Sequence, residues 1–522
     1  MLTRRKVREI RRATFNLITL PPEVIVEILK HMDWKTILRA LQTCNKLFEV
    51  SKTRSIWVTL FNRCTETLLY PPRLVQPIHH YSTAELENLL VRGLSSKVGW
   101  NSYRPPTERL TKDDILGTAG KVLLEGGRWL LTCGNNIDGG EHVHFYDLDS
   151  NPQSLLLSKL FKVELPSTKL DLQLHNIISQ AIPRVGSSFH VVVHSRSWSA
   201  FGGTLMGCTI YHIQQQGHGP QATLVANLLN SFIYTQNGFN ISPKLCLLDD
   251  YIMEDVLESP EGGYSSIQVY NWRTTTSAHH IKSCLLLESP PLFSRLLPEN
   301  KVICASSHSS MAIYRLPPFK KVEFRDSLNG SDLPRNIAKP IHVLSLDGIG
   351  NRALLSSQLN ISEPCIGKTA TRISLRVDGS IYGFIIPHDE SEPLVFFLAL
   401  SVELMQPESK YVTLGVDKAY VESHEDSPNA ITVAFNWPTD DEAASAKWEP
   451  RLAVTYRRKW MFHWESYRSP ALIDEPSGRL IRAATYGQSE EDYLSSSDTD
   501  TGPWSIIDFC LPRYIADSAR CS

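Results

Sequence analysis

The chain has 522 residues, 42% hydrophobic and 21% charged, with a formal net charge of −2. This is the balance of a folded globular protein with room for a small domain and a large one, and it excludes a global field that would gather nucleic acid. The longest apolar run, Leu394–Leu400, is far too short to span a bilayer, and the ten cysteines never form a C-x-x-C, so no membrane partner and no zinc or disulfide framework is expected.

Residues 1–15 read as a basic leader in which six Lys and Arg side chains stand against Glu9 within the first twelve positions. A solvated lead-in, a nuclear-import patch and a phosphate-binding arm all fit such a run. With no apolar signal-peptide core at the N-terminus, a reducing compartment is expected, cytoplasmic and/or nuclear.

Between Leu20 and Leu60 the apolar residues take a helical period. Pro21 and Pro22 suit a first turn, and Glu23 puts a carboxylate at the positive end of the dipole. Val24, Ile25, Ile28, Leu29 and Met32 then make a stripe wider than one small neighbour needs. Asp33 can cap a second helix with Ile37, Leu38 and Leu41 buried, Cys44, Leu47 and Phe48 mark a third, and Ile56, Trp57 and Leu60 a fourth. Forty residues of this kind bury too little surface to be comfortable alone.

The run Leu20-Pro21-x-Glu23-Val24, followed by Ile28-Leu29, Leu38, Leu41, Cys44, Leu47-Phe48 and Trp57, resembles an F-box, placed at 16–62, with Met32 where leucine is commoner. The resemblance implies docking on a Skp-type adaptor and, through it, a cullin. It further implies an adaptor contact built from Leu20, Pro21, Glu23, Val24, Ile28, Leu29, Leu38, Leu41 and Trp57.

Residues 63–120 read as a helical linker. Prolines at 71, 72 and 77 break the pattern, and Ser82-x-x-Glu85 is a capping box for a bracing helix with Leu86, Leu89, Leu90 and Leu94 on one face. Trp100 and Pro105-Pro106 close it, and a polar stretch sets the boundary near residue 120.

From 121 to 511 the chain changes to short strands with Gly, Pro, Asn and Asp between them. An internal pattern, apolar-x-apolar-Tyr-x-apolar, appears at Val143–Leu148, Cys208–Ile213, Ile267–Trp272 and Met311–Leu316. Gly126–Leu131 gives an earlier strand of the first unit. Ile373–Ile385 reads as a hairpin turning at Asp378-Gly379, with the strand Leu394–Leu400 after it. Ile431–Phe435 is expected to pair with Trp460–Trp464, and Leu480–Tyr486 with Ser505–Phe509. About seven such units fit a β-propeller, the fold class being multidomain, α followed by all-β. The copies resemble WD-type blades, with Tyr for Trp and an acid kept only at Tyr146-Asp147; a β-solenoid or two stacked β domains are the alternatives. Gly487–Pro503 is acidic, serine-rich and unable to bury itself, so a mobile loop is expected there, and 512–522 is a tail.

Chemistry is sparse. His142 with His144, and His190 with His194, share strand faces, yet neither pair has a third ligand nearby. Leu344–Arg352 faintly resembles the oxyanion loop of patatin-like lipases, and Gly348-x-Gly350-x-x-Ala353 a dinucleotide fingerprint, but neither has the elbow or the strand-helix context it requires. No catalytic residue, metal or cofactor is assigned. The expected function is a non-catalytic substrate receptor that binds the adaptor through the F-box and an unknown target protein through the propeller. A propeller enzyme or a ligase-independent scaffold with a site at the central channel is the alternative.

Overall fold

A computed structural model describes residues 17–68, 72, 74, 77–100, 107–110, 118–135, 141–150, 158–164, 172–181, 188–198, 204–217, 221–236, 245–257, 265–289, 291–306, 310–324, 336–345, 360–367, 369–377, 380–400, 411–422, 429–435, 437–438, 460–461, 471–483 and 504–509. The basic leader, the Asp378-Gly379 turn, the Gly487–Pro503 loop and the tail lie outside them. The chain divides into two units, one of residues 1–98 with 510–522, the other of residues 99–509.

In the first unit, Pro21 and Pro22 open helix α1, Pro22–Lys30, where a missing N–H costs nothing because first-turn donors have no intrahelical partner. Asp33 caps α2, Trp34–Leu41, by accepting from the Thr36 amide at 3.1 Å and the Thr36 hydroxyl at 2.6 Å. Helices α3, Asn45–Ser51, and α4, Arg54–Thr67, follow. Ile25, Leu29, Ile37, Leu47, Ile56, Trp57 and Leu60 form one core with Leu86, Leu90, Val91 and Leu94. These last four come from α5, Thr83–Trp100. The expected capping box is present, Ser82 N–H donating to Glu85 Oε2 at 2.7 Å and Glu85 N–H to Ser82 Oγ at 3.2 Å. The bracing helix thus adds four buried side chains to the core of the four shorter helices, which is how so short a segment escapes the surface penalty of its size.

The second unit holds seven antiparallel sheets among the described residues. Sheet 1 takes Thr118–Leu123, Trp129–Asn135, Glu141–Asp147 and Ser158–Lys162. Sheet 2 takes Gln173–Ala181, Ser188–Trp198, Thr204–Gln216 and Thr223–Gln236. Sheet 3 takes Leu245–Leu248, Tyr251–Leu257, Ser265–Asn271 and His279–Leu287, and sheet 4 takes Pro291–Leu297, Lys301–Ser306, Ser310–Arg315 and His342–Ser345. Lys320–Glu323, reached after sheet 4 has begun, returns to pair with the outer strand of sheet 3. Sheet 5 has Asn360–Ile361 and Cys365–Ile366 on Ala370–Val377, then Ser380–Pro387 and Val395–Leu400. Sheet 6 has Tyr411–Leu414, Lys418–Glu422, Asn429–Ala434 and Trp460–Met461. Sheet 7 joins Leu472–Asp474, Arg479–Ala483 and Trp504–Asp508 to a strand from the start of the unit, Thr107–Leu110. That strand lies ahead of the boundary expected near residue 120, so the propeller begins earlier than its polar sequence suggests.

Apolar wedges link each sheet to the next. Leu131 and Val143 meet Val191 and Tyr211 between sheets 1 and 2, and Phe232 and Tyr234 meet Ile252 and Tyr270 between 2 and 3. Further wedges join 3 to 4, 4 to 5 and 5 to 6. Tyr420 packs with Leu480 and Phe509 between 6 and 7, and Ile481 and Ile506 with Leu130 and Tyr146 between 7 and 1. A row of sheets whose last member packs on its first is a closed ring, the arrangement of a β-propeller.

One backbone bond repeats around it. The residue after the third strand donates to the turn before the second: Leu148 to Arg128, Trp272 to Asp250, Leu316 to Asn300, His388 to Thr369, Phe435 to Asp417 and Phe509 to Gly478. The four apolar-x-apolar-Tyr copies all lie on third strands, of sheets 1 to 4, with Tyr146, Tyr211 and Tyr270 buried. The repeat is therefore structural. It marks the strand whose outgoing turn closes each hairpin.

Candidate functional site

On α1 the wide apolar stripe divides into two faces. Ile25 and Leu29, four residues apart, are fully buried, while Val24 and Ile28, also four apart, point the other way. Val24 is 43% exposed and Ile18, in the 3-10 turn Leu17–Thr19 just before the helix, 42% exposed. Pro21 and Glu23 are exposed, and Leu20 and Ile28 half-buried. The outward patch of the first helix is thus Ile18, Leu20, Pro21, Val24 and Ile28, with Glu23 at its edge. Exposed apolar side chains grouped in this way on a small unit whose core is otherwise filled mark a surface that another molecule can cover.

The other expected contact residues fall differently. Leu38 and Leu41 are half-buried on α2. Leu29 and Trp57 are each fully buried, so their side chains cannot touch a partner and their assignment as contact residues is corrected. Trp57 donates its indole N–H to the Ser51 carbonyl at 2.9 Å and packs in the helical core. Its place in the pattern is that of a keystone, for which an indole offers large apolar area with one satisfiable donor.

Three cations brace the helical unit, two of them on the segment that carries this surface, and the apolar pattern gave no sign of them. Lys46 Nζ donates to the carbonyls of Ile18 at 2.6 Å and Leu20 at 2.8 Å. Arg63 donates to the carbonyls of Lys30 at 3.0 Å and Met32 at 2.9 Å, placing a guanidinium on the C-terminal end of α1 where the dipole favours it. Arg54 donates to the carbonyls of Ile78 and Tyr81, tying the start of α4 to the turn that leads into α5.

In the propeller the histidine pairs serve packing. His142 and His144 are buried with ring centroids 6.0 Å apart, and burial, then the charges of His142 and Lys159, holds His144 below its usual range. His190 is pushed down to about 4, first by burial and then by Arg273 and His212, and its ring meets Trp272 edge-on at 5.0 Å. His194 shares a hydrogen bond with the Tyr234 hydroxyl at 2.8 Å. Among the described residues no group of three or more His, Cys, Asp or Glu side chains could hold a metal ion. Of Leu344–Arg352 only Leu344 and Ser345 are described, at the end of a sheet 4 strand. A cavity of about 230 Å³ lies beside that strand, lined by Ile303, Met311, Ile313, Val343, Phe384 and Leu394 together with His342. It is an apolar cleft between sheets 4 and 5 with no paired acid and base.

Several of the charged groups buried in the propeller hold its closing sheet. Asp474 accepts from the Gly126 amide at 3.2 Å and the Ser477 amide at 3.0 Å, and burial raises its pKa. Glu475 accepts from the Val416 and Asp417 amides at 3.1 Å each, and burial, then Asp417, pushes it up to about 8 against the pull of Lys418. Arg479 donates to the carbonyls of Gly127 and Leu148 and pairs with Asp508 and Asp149, each at 2.7 Å. Two successive carboxylates and a guanidinium thus bond sheet 7 to sheet 6 on one side and sheet 1 on the other.

Residues 17–63 match the family described as F-box-like. No relative was found among curated protein sequences. Among solved structures the chain is similar to a putative 6-phosphogluconolactonase from Bacteroides uniformis, at 8% identity and a TM-score of 0.28, over 66% of this chain and 83% of that one. A second putative 6-phosphogluconolactonase, from Bacteroides fragilis, gives 8%, 0.28, 66% and 82%, and Sqt1 from Chaetomium thermophilum gives 12%, 0.36, 75% and 83%. At these TM-scores the likenesses carry no argument about activity. The chain has an F-box-like domain followed by a β-propeller. Among the described residues no helix is long and apolar enough to cross a membrane.

Proposed function

We propose that this protein is a non-catalytic substrate-receptor subunit of a Skp-cullin-F-box ubiquitin ligase, whose helical unit binds a Skp-type adaptor and whose propeller holds a target protein. The observation that carries the reading is the outward patch of Ile18, Leu20, Pro21, Val24 and Ile28 on the segment that matches the F-box-like family. Ile18 and Val24, 42% and 43% exposed, lie outside the helical core, and Leu20 reaches it with only part of its side chain. Catalysis in such an assembly needs no reactive group on the receptor, because holding target and ubiquitin-charged enzyme together lowers the barrier by itself. A cytoplasmic or nuclear site of action follows from the partners.

The test is the double change Val24→Asp with Ile28→Asp in the full chain. Central interface anchors commonly cost about 2 kcal/mol or more when lost, so adaptor affinity falls by at least about a hundredfold. The melting transitions stay in place, because both side chains face outward. Trp57→Ala serves as the contrast: it removes a core side chain at a cost of about 3–5 kcal/mol and weakens adaptor binding only by unfolding the helices. Wild-type adaptor affinity in the folded double variant overturns the reading. Affinity purification of the full chain from cells, with recovery of adaptor, cullin and propeller-dependent proteins, identifies the target.

A further inference from the structure

Lys46 stands in the first turn of α3, where the helix dipole disfavours a cation. Its ammonium serves another segment, donating at 2.6 Å and 2.8 Å to the carbonyls of Ile18 and Leu20, 28 and 26 residues earlier in the chain. That segment is short of backbone donors. Leu20 N–H reaches the Leu17 carbonyl at 3.3 Å, Pro21 and Pro22 have no N–H, and the first bonds of α1 run from Val24 and Ile25 to the Pro21 carbonyl. The Leu20 carbonyl points away from the helix ladder and meets the lysine instead. The angle at which Ile18, Leu20 and Pro21 stand beside Val24 is therefore set by a charge-assisted clamp from α3.

We infer that Lys46 is a positioning residue of the adaptor surface: it does not touch the adaptor but holds the Ile18–Pro21 turn in its bound shape before the adaptor arrives. This rests on the reading of the outward patch as the adaptor contact. A partner that meets a turn already fixed avoids ordering it on binding, so the clamp appears in affinity more than in the stability of the fold.

The experiment compares full-length Lys46→Met, which keeps the aliphatic stem, and Lys46→Arg, which keeps donors for both carbonyls. Two quantities are read: affinity for a purified Skp-type adaptor, and amide exchange of Leu20 and Val24 in the free chain. Lys46→Met is expected to bind about tenfold more weakly, as loss of charge-assisted bonds at one site implies, with faster exchange at both amides and an unmoved melting transition. Lys46→Arg is expected to restore both. Unchanged exchange in Lys46→Met overturns the clamp whether or not any adaptor binds. Unchanged affinity in Lys46→Met, where Val24→Asp with Ile28→Asp loses binding, overturns the positioning role and leaves the adaptor reading standing. A fall in affinity matched by a fall in melting temperature also overturns it, since Lys46 would then only stabilise the helices. A wild-type chain that binds no adaptor removes the positioning role along with the adaptor reading.

Discussion

Glu475 shows how one buried carboxyl ties the ring to pH. It is enclosed between sheets 6 and 7, accepts two amides, and burial and Asp417 raise it to about 8 from an ordinary 4.5. Between those two values the folded chain binds a proton that the unfolded chain has released, so stability falls as pH rises through that window. Glu475→Gln keeps an acceptor for one of the two amides and removes the titration. The expected outcome is a propeller melting temperature that declines from pH 5 to pH 8 in the wild type and declines less in the variant. Parallel curves would show that Lys418 neutralises the carboxyl instead. Nothing in the local sequence distinguished Glu475 from a surface acid, because its burial is produced by residues some sixty positions earlier. Leu29 and Trp57 were misplaced for a related reason. A helical period tells that a residue faces something apolar, and both an internal core and a partner satisfy it.

At the scale of elements, what was legible is what local rules determine. The starts of α1, α2 and α5 could be read because a proline pair, an Asp cap and a Ser-x-x-Glu box each satisfy first-turn donors by short-range bonds. The third strands of sheets 1 to 4 could be read because they are the buried centres of their sheets and repeat one pattern. Inner strands as short as Asn360–Ile361, and outer ones such as Ser158–Lys162 that are half covered, have too few residues or too mixed a burial to show a period. The return of Lys320–Glu323 to sheet 3 is a long-range pairing that no local pattern encodes. The cap of α5 gives a direct check. Ser82→Ala removes the acceptor for the Glu85 amide and is expected to cost about 1 kcal/mol, with faster exchange at Leu86, whose amide bonds the Ser82 carbonyl. Ser82→Asp, which supplies an acceptor of the same reach, is expected to recover most of it. Equal stability of the alanine variant would show that α5 is held by its buried leucines alone.

At the scale of the molecule, the propeller depends on a strand that arrives first and pairs last. Thr107–Leu110 lies along Trp504–Asp508 in full register, and Arg109 donates to the Leu148 carbonyl at 2.9 Å while pairing with Asp508 at 2.7 Å. Asp508 is also the partner of Arg479, so one carboxylate joins the strand from the start of the unit, the strand at its end and, through Arg479, the turn of sheet 1. Closing a ring between segments almost four hundred residues apart carries a large loop-closure entropy, and the four-residue strand TERL is too polar to meet that by burial. The buried ion pairs do part of this work, and they are effective only when both partners are present, since a lone charge left in such a place is strongly destabilising. Two fragments separate this arrangement from one in which the ring begins at residue 121. Residues 99–522 retain the closing strand and are expected to melt in one cooperative transition near that of the full chain's propeller. Residues 111–522 lack it but keep the whole first strand of sheet 1, Thr118–Leu123; they leave the edge of Trp504–Asp508 unpaired, and are expected to melt several degrees lower, or in a broadened transition, and to self-associate through the open edge. Supplying a synthetic peptide of residues 101–117 should raise the transition of the shorter fragment, and the same peptide with Arg109→Ala should raise it less. Equal transitions for the two fragments would place ring closure in the apolar wedges between sheet 7 and its neighbours, with the strand as a mere covering.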